Sequence, residues 1–148
     1  MAETKGPPPT VLVTDMMVKD VHKVTVNMTL VQVAELMMKH LISGAPVVDP
    51  MDRVISVIGE GDTLRLIAAH GTEATVNSCL SKLLQTKDLI TLQKFATFAD
   101  AYRLFMKHKF HRIPIVDGGG SLKGLVTRSM ILKIIVEGHH GKKIDRSA

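Results

Sequence analysis

The chain has 148 residues, 45% of them hydrophobic and 3% aromatic, with no Trp and a formal charge of +5. That length suffices for one domain with a proper core, or for two small halves sharing one, and the core must come from Val, Ile, Leu, Ala and Met. Cys79 is the only cysteine, which excludes an internal disulfide and a Cys-based structural zinc site; the absence of any apolar run near the ~20 residues that cross a bilayer, and the polar, Pro-rich start, give a cytoplasmic location as the expectation.

In chain order, residues 1–10 read as a flexible segment. A β-prone stretch is expected at Lys23–Val26. Leu30, Val33, Ala34, Met37 and Leu41 then fall on one face of an amphipathic helix, with Thr29 as its N-cap. A strand at Ala45–Val48, a turn at Asp49-Pro50-Met51-Asp52 and a strand at Val54–Ile58 follow. A second helix, about Asp62–Ala69, stops where Gly71 stands. Residues 71–80 read as a connector. The same order returns: a β-prone stretch at Leu89–Leu92, then a helix capped by Thr97 with Phe98, Ala101, Tyr102 and Phe105 on its core face. Strands at Ile113–Val116 and Leu122–Val126 flank the turn Asp117-Gly118-Gly119-Gly120, and a helix at about Ser129–Glu137 ends near Gly138. Pro46 and Pro114 suit strand starts. Residues 139–148, with Lys142, Lys143 and Arg146, form a basic tail.

The recurrence is a duplication. Leu36-Met37-Met38-Lys39-His40 matches Leu104-Phe105-Met106-Lys107-His108, and Ala45-Pro46-Val47-Val48-Asp49 matches Ile113-Pro114-Ile115-Val116-Asp117, both at an offset of 68. Ser56-Val57-Ile58-Gly59 falls on Gly124-Leu125-Val126-Thr127, and Lys19-Asp20 on Lys87-Asp88. Between these blocks Thr25 aligns with Thr91, a slip of two that closes by Thr29 and Thr97. The fold expected is α/β (α+β): two tandem β-α-β-β-α repeats, residues 11–70 and 81–138, packed through their sheets into one module with a pseudo-two-fold axis. Neither repeat alone covers its sheet and both helices.

These blocks resemble a pair of cystathionine-β-synthase (CBS) domains, a Bateman module, over about residues 12–138. The resemblance rests on Val13-Thr14-Asp15-Met16-Met17, Lys87-Asp88-Leu89-Ile90-Thr91-Leu92, Gly44-Ala45-Pro46-Val47-Val48-Asp49, His111-Arg112-Ile113-Pro114-Ile115-Val116-Asp117 and Gly124-Leu125-Val126-Thr127-Arg128. It implies a disc-like pair that dimerises, binds AMP, ADP, ATP or S-adenosylmethionine between its repeats, and regulates a separate effector protein.

An adenosine phosphate needs apolar walls for its base, a carboxylate for the ribose diol, and N–H groups, hydroxyls or cations for phosphate. The family's Gly-hydrophobic-x-Thr/Ser-x-x-Asp motif supplies the hydroxyl and the carboxylate at a helix start, where anions are favoured. Here the motif is divided. Ser56-Val57-Ile58-Gly59-Glu60-Gly61-Asp62 keeps the carboxylate and lacks the hydroxyl; Gly124-Leu125-Val126-Thr127-Arg128-Ser129-Met130 keeps the hydroxyl and lacks the carboxylate. By family geometry the first cleft comprises Asp62, Val57, Gly59 and Gly61 with Thr91, Phe110, His111, Arg112 and Pro114. Glu60 opposes phosphate there. The second comprises Thr127, Leu125, Arg128 and Ser129 with Thr25, Ile42, Ser43 and Gly44. Alternatively, Asp62 serves only as a helix N-cap, Thr127 only ends a strand, and Arg112 and Arg128 are solvated surface charges.

Other chemistries lack residues. His40 and His108 stand at helix ends, where an imidazolium is favourable, and no dedicated metal site is expected. No nucleophile elbow, Walker loop or dinucleotide fingerprint is present, so the chain is not expected to be an enzyme. With Phe98, Tyr102 and Phe105 assigned to the core, stacking platforms for nucleic acid are missing. A ligand sensor is the leading function. A dimerisation or interaction scaffold with decayed motifs is the alternative, and weak single-stranded nucleic-acid binding through the basic face a third.

Overall fold

Each short β-branched, apolar run becomes a strand against which amphipathic helices close. The computed structural model describes residues 11–85 and 88–140. The segment 1–10, Lys87 and the tail beyond His140 lie outside the described residues. The elements are β1 (Val24–Thr25), α1 (Leu30–His40), β2 (Gly44–Val48), β3 (Val54–Gly59), α2 (Glu60–His70), α3 (Val76–Cys79), β4 (Leu92–Gln93), α4 (Phe98–Lys107), β5 (Arg112–Val116), β6 (Leu122–Thr127) and α5 (Arg128–His139). They form two three-stranded sheets, ordered β1-β2-β3 and β4-β5-β6. β1 runs parallel to β2, which pairs antiparallel with β3; β4 runs parallel to β5.

Two repeats are therefore present, and the offset of 68 holds throughout. The two-residue slip does not exist: β4 begins at Leu92, three residues after the expected start, so Gln93 and not Thr91 occupies the position of Thr25. A threonine match misled the alignment, because a two-residue strand has too little pattern to fix its own register. The prolines sit third in β2 and β5, not at their starts. Both are buried, and the parallel partners β1 and β4 pair only with the two residues beyond them, Val47–Val48 and Ile115–Val116.

The compact units are not contiguous halves. One comprises Val21–Leu89 with Gly119–Leu122; the other gathers the residues up to Asp20, Ile90–Gly118 and those from Lys123 onward. The first encloses Val24, Leu30, Val33, Val47, Ile58 and Val76 among its core residues, and the second Val13, Ala101, Ile113, Ile115 and Val126. In each, a short segment distant in sequence crosses the start of the first helix. In one, the Leu30 N–H donates to the Ala74 carbonyl (2.9 Å) and the Val76 N–H to Met28 (2.9 Å). In the other, the Phe98 N–H donates to Val11 (2.8 Å) and the Val13 N–H to Ala96 (2.8 Å). The chain's opening thus serves α4, and residues 74–76 do the same work for α1.

Capping sets the helix starts. Thr29 Oγ1 accepts from the Gln32 N–H (3.3 Å) while Gln32 accepts from the Thr29 N–H (2.9 Å). Thr97 and Asp100 repeat the arrangement at α4, and the Thr97 N–H is the main cause holding the Asp100 carboxyl below its ordinary range.

Several side chains depart from the sequence reading. Leu41 is 92% exposed, because the chain leaves α1 there in a left-handed conformation (φ 54°) and turns the side chain off the apolar face. Tyr102 is exposed on α4, its ring only edging Phe98 at 5.8 Å. Phe95, in the turn before α4, is 73% exposed, so the chain does present aromatic surface. Gly71 ends α2 at φ 86°, whereas Gly138 lies inside the last turn of α5 and His140 is the cap.

At the end of α1 the His40 ring stacks on His22 with centroids 3.6 Å apart. Desolvation first, then the charges of His22 and Lys39, push the His40 pKa below its ordinary value. The folded chain therefore binds that proton less readily than the unfolded chain. This contribution to stability is present above about pH 6.5 and is lost as pH falls below it. Urea midpoints between about pH 7.5 and about pH 5.5 should fall less in His40→Gln than in the native chain. Equal falls would contradict the assignment.

Candidate functional site

The candidate residues cluster where a strand runs directly into a helix, once per repeat. At the β3–α2 joint, Gly59 is the N-cap and Asp62 the third helical residue. The Gly59 N–H donates to Asp62 Oδ2 (2.8 Å), and Thr63 Oγ1 donates to the Gly59 carbonyl (2.8 Å). Arg65 donates to Asp62 Oδ1 at 2.8 Å, so both carboxylate oxygens are engaged. Asp62 is thus not the N-cap that its sequence position suggested; its carboxylate reaches back from the first turn to close the cap. With no hydroxyl at Gly59, the acid at the third position is the only side chain available for that role.

At the β6–α5 joint the roles are reversed. Thr127 caps α5, its Oγ1 accepting from the Met130 N–H (3.4 Å), and Met130 packs against the core where Asp62 has its counterpart. Thr127 is therefore both the last strand residue and a helix cap. Arg128 and Ser129 lie exposed in the first turn.

Both joints are pinned to the pre-proline segment of their own repeat. The Glu60 N–H donates to the Ser43 carbonyl (3.0 Å), and Gly44 stands opposite Gly59 in the sheet. The Arg128 N–H donates to the His111 carbonyl (3.3 Å). Asp62, Val57, Gly59 and Gly61 thus share a unit with Thr25, Ile42, Ser43 and Gly44, while Thr127, Leu125, Arg128 and Ser129 share the other with Thr91, Phe110, His111, Arg112 and Pro114. Within that second unit the Phe110 ring lies between His108 (5.2 Å) and Phe105 (5.8 Å) against the core. Thr25 ends β1 with an exposed side chain, and Ile42 packs partly against its own core.

The sequence reading missed a cavity of about 260 Å³ on α2, lined by Asp62, Arg65, Leu66, Ala69, His70 and Lys82. Its helical members recur at three- and four-residue steps from Asp62, a spacing that identifies one helix face. Lys82 comes from a turn whose packing no local pattern reveals. Among the described residues no group of three or more His, Cys, Asp or Glu side chains could hold a metal ion, and no helix is long and apolar enough to cross a membrane.

A family model of the CBS domain matches residues 13–69 and 80–137. The chain belongs to the CBS domain family. Among relatives, it is 33% identical over 129 residues to the uncharacterised protein MJ1232 of Methanocaldococcus jannaschii, covering 86% of this chain and 40% of that protein. It is 33% identical over 100 residues to the inosine-5'-monophosphate dehydrogenase of Halalkalibacterium halodurans, covering 68% of this chain and 19% of the enzyme. The CBS chain thus spans less than half the length of either. Its fold matches CBSX2 solved in complex with AMP (TM-score 0.73, 24% identity, 86% of this chain and 97% of that one). It also matches the CBS domain pair of MJ0100 solved with 5'-methylthioadenosine and S-adenosyl-L-methionine (TM-score 0.73, 20% identity, 86% and 98%).

Proposed function

We propose that this chain is a regulatory module, without catalytic activity of its own, that binds an adenosine-containing ligand (AMP, ADP, ATP or S-adenosylmethionine) and signals to a separate effector protein. The observation that carries the reading is the repeated strand-to-helix joint, which presents a carboxylate at Asp62 in one repeat and a hydroxyl at Thr127 in the other. Asp62 can accept from a ribose diol, the Thr127 hydroxyl can donate to a phosphate at the start of α5, and the pre-proline segments offer backbone groups to a base. The adenosine ligands of CBSX2 and MJ0100 support the same chemistry.

Calorimetry with the four ligands tests this. Binding below millimolar concentration is expected, with a loss of about tenfold or more in Asp62→Asn, which removes the charged acceptor but keeps an acceptor for the Gly59 N–H. No binding below millimolar, or an unchanged affinity in the variant, would overturn the reading.

A second reading, a homodimeric interaction scaffold in the cytoplasm, is favoured by apolar side chains on helix exteriors. Met38 is 77% exposed, Leu64 70%, Met106 69% and Leu132 62%. It predicts a dimer that persists without nucleotide and melts at the same temperature with it.

A further inference from the structure

The β3–α2 joint is poorly made for phosphate at the usual place. Gly59 has no hydroxyl, and the first turn of α2 carries two carboxylates, Glu60 and Asp62. Two cations of this unit, Arg65 and Lys82, stand along the α2 face that runs on from Asp62. Arg65, His70 and Lys82 line the cavity of about 260 Å³ there, with Leu66 and Ala69 as its apolar floor. Asp62 to His70 spans two turns of helix, about 12 Å at 1.5 Å per residue, comparable to the reach from a ribose to a terminal phosphate. Arg65 lies over the first turn: an added Cβ at Gly61 would stand 3.2 Å from its Nη1, so the glycine leaves room for the guanidinium.

We propose that this cavity binds the phosphate of the ligand and that Arg65 is the residue that selects for it. The inference rests on the adenosine reading above. Arg65 now occupies Asp62 Oδ1 at 2.8 Å. Each carboxylate oxygen can accept more than one hydrogen bond, and a cis-diol that takes the Oδ1 lone pair now aimed at Arg65 displaces the guanidinium from that bond. The released cation then has two alternatives, solvent or an anionic group on the ligand. With a phosphate in the cavity it gains a charge-assisted bond, shared with Lys82 and His70, in place of the one it gave up. With a neutral nucleoside it gains nothing. Arg65 therefore opposes adenosine and is neutral or favourable toward its phosphates, and Asp62 holds the diol more tightly when an anion accompanies it.

Arg65 is 74% exposed in its side chain, so substituting it leaves the fold intact. Calorimetry of adenosine, AMP, ADP and inorganic pyrophosphate against the native chain, Arg65→Gln and Lys82→Gln gives the test. Arg65→Gln is expected to weaken AMP and ADP by about tenfold while adenosine binds as well or better, and Lys82→Gln to weaken pyrophosphate and ADP without touching adenosine. A loss common to adenosine and AMP, or no change for AMP in Arg65→Gln, overturns the selection by Arg65. Pyrophosphate binding that Arg65→Gln and Lys82→Gln leave unaltered overturns the cavity. Should pyrophosphate bind and respond to both variants while no adenosine compound binds, the cavity stands as an anion site and the adenosine reading fails. Should nothing bind, both fail.

Discussion

Leu30→Ala is expected to lower stability by about 2–5 kcal/mol, the largest effect of any substitution considered for the unit built on α1. Leu30 opens α1 and is fully buried, among Val24, Val33, Val47 and Ile58 in that unit's core. Its backbone N–H is fixed to the Ala74 carbonyl and its neighbour Thr29 closes the cap, so the helix start cannot slide inward to fill the void. A rigid wall keeps the cavity open, and the cost then includes the lost contacts as well as the lost transfer free energy. Met38→Ala on the same helix is the control: that side chain is 77% exposed, and its loss should shift stability by no more than about 0.5 kcal/mol. Urea denaturation of the two variants measures both. A Leu30→Ala change below about 1 kcal/mol would mean that the start of α1 is softer than its hydrogen bonds indicate.

Gly124→Ala should cost about 1–3 kcal/mol although it adds a single methyl group. A Cβ at this position in β6 would fall 2.3 Å from Met17 Sδ and 2.9 Å from the Val18 carbonyl oxygen. Met17 can swing aside; the carbonyl cannot, because Val18 and Leu125 exchange two backbone hydrogen bonds of 3.0 Å each. The matching position of the other repeat is Ser56, buried, whose Oγ donates to the Leu84 carbonyl at 2.9 Å. One repeat fills this gap with a hydroxyl and the other with backbone and a thioether, so the two positions are equivalent in the fold and not interchangeable in sequence. Faster hydrogen exchange at the Val18 and Leu125 amides in Gly124→Ala would report the strain directly. Unchanged exchange and stability would show that Met17 alone absorbs it.

The long elements were legible because their pattern is strong. Leu30, Val33 and Met37 repeat at helical spacing, Val54 to Ile58 form a β-branched run after a turn, and Thr29 and Thr97 announce their helices; the structure places each within a residue or two of the expected bounds. What failed was short or non-local. β1 and β4 have two residues each, so nothing but pairing with β2 and β5 defines them. Leu41 fits the apolar spacing of α1 and still faces out, since periodicity carries no information on where a chain adopts φ above zero. The candidate site was half legible. Asp62 and Thr127 were found as motif residues, and both prove to close helix caps in the structure. Arg65, His70 and Lys82 were not found, because Lys82 reaches the α2 face only through packing around a distant turn.

The pairing of Val11 and Val13 with Phe98 and Ala96 also bears on how the chain reaches its native state. The unit holding α1 draws nearly all of its residues from one continuous stretch, Val21–Leu89. Most of its contacts can form as soon as that stretch leaves the ribosome. The other must wait, since Val11, Val13, Met16 and Met17 belong to a core whose remaining members are not synthesised until Ala96 and beyond. Closing so long an intervening loop is entropically costly and slow, so synthesis should produce the two units in sequence, and Val11 to Met17, made before the α1 unit, should find their places after it.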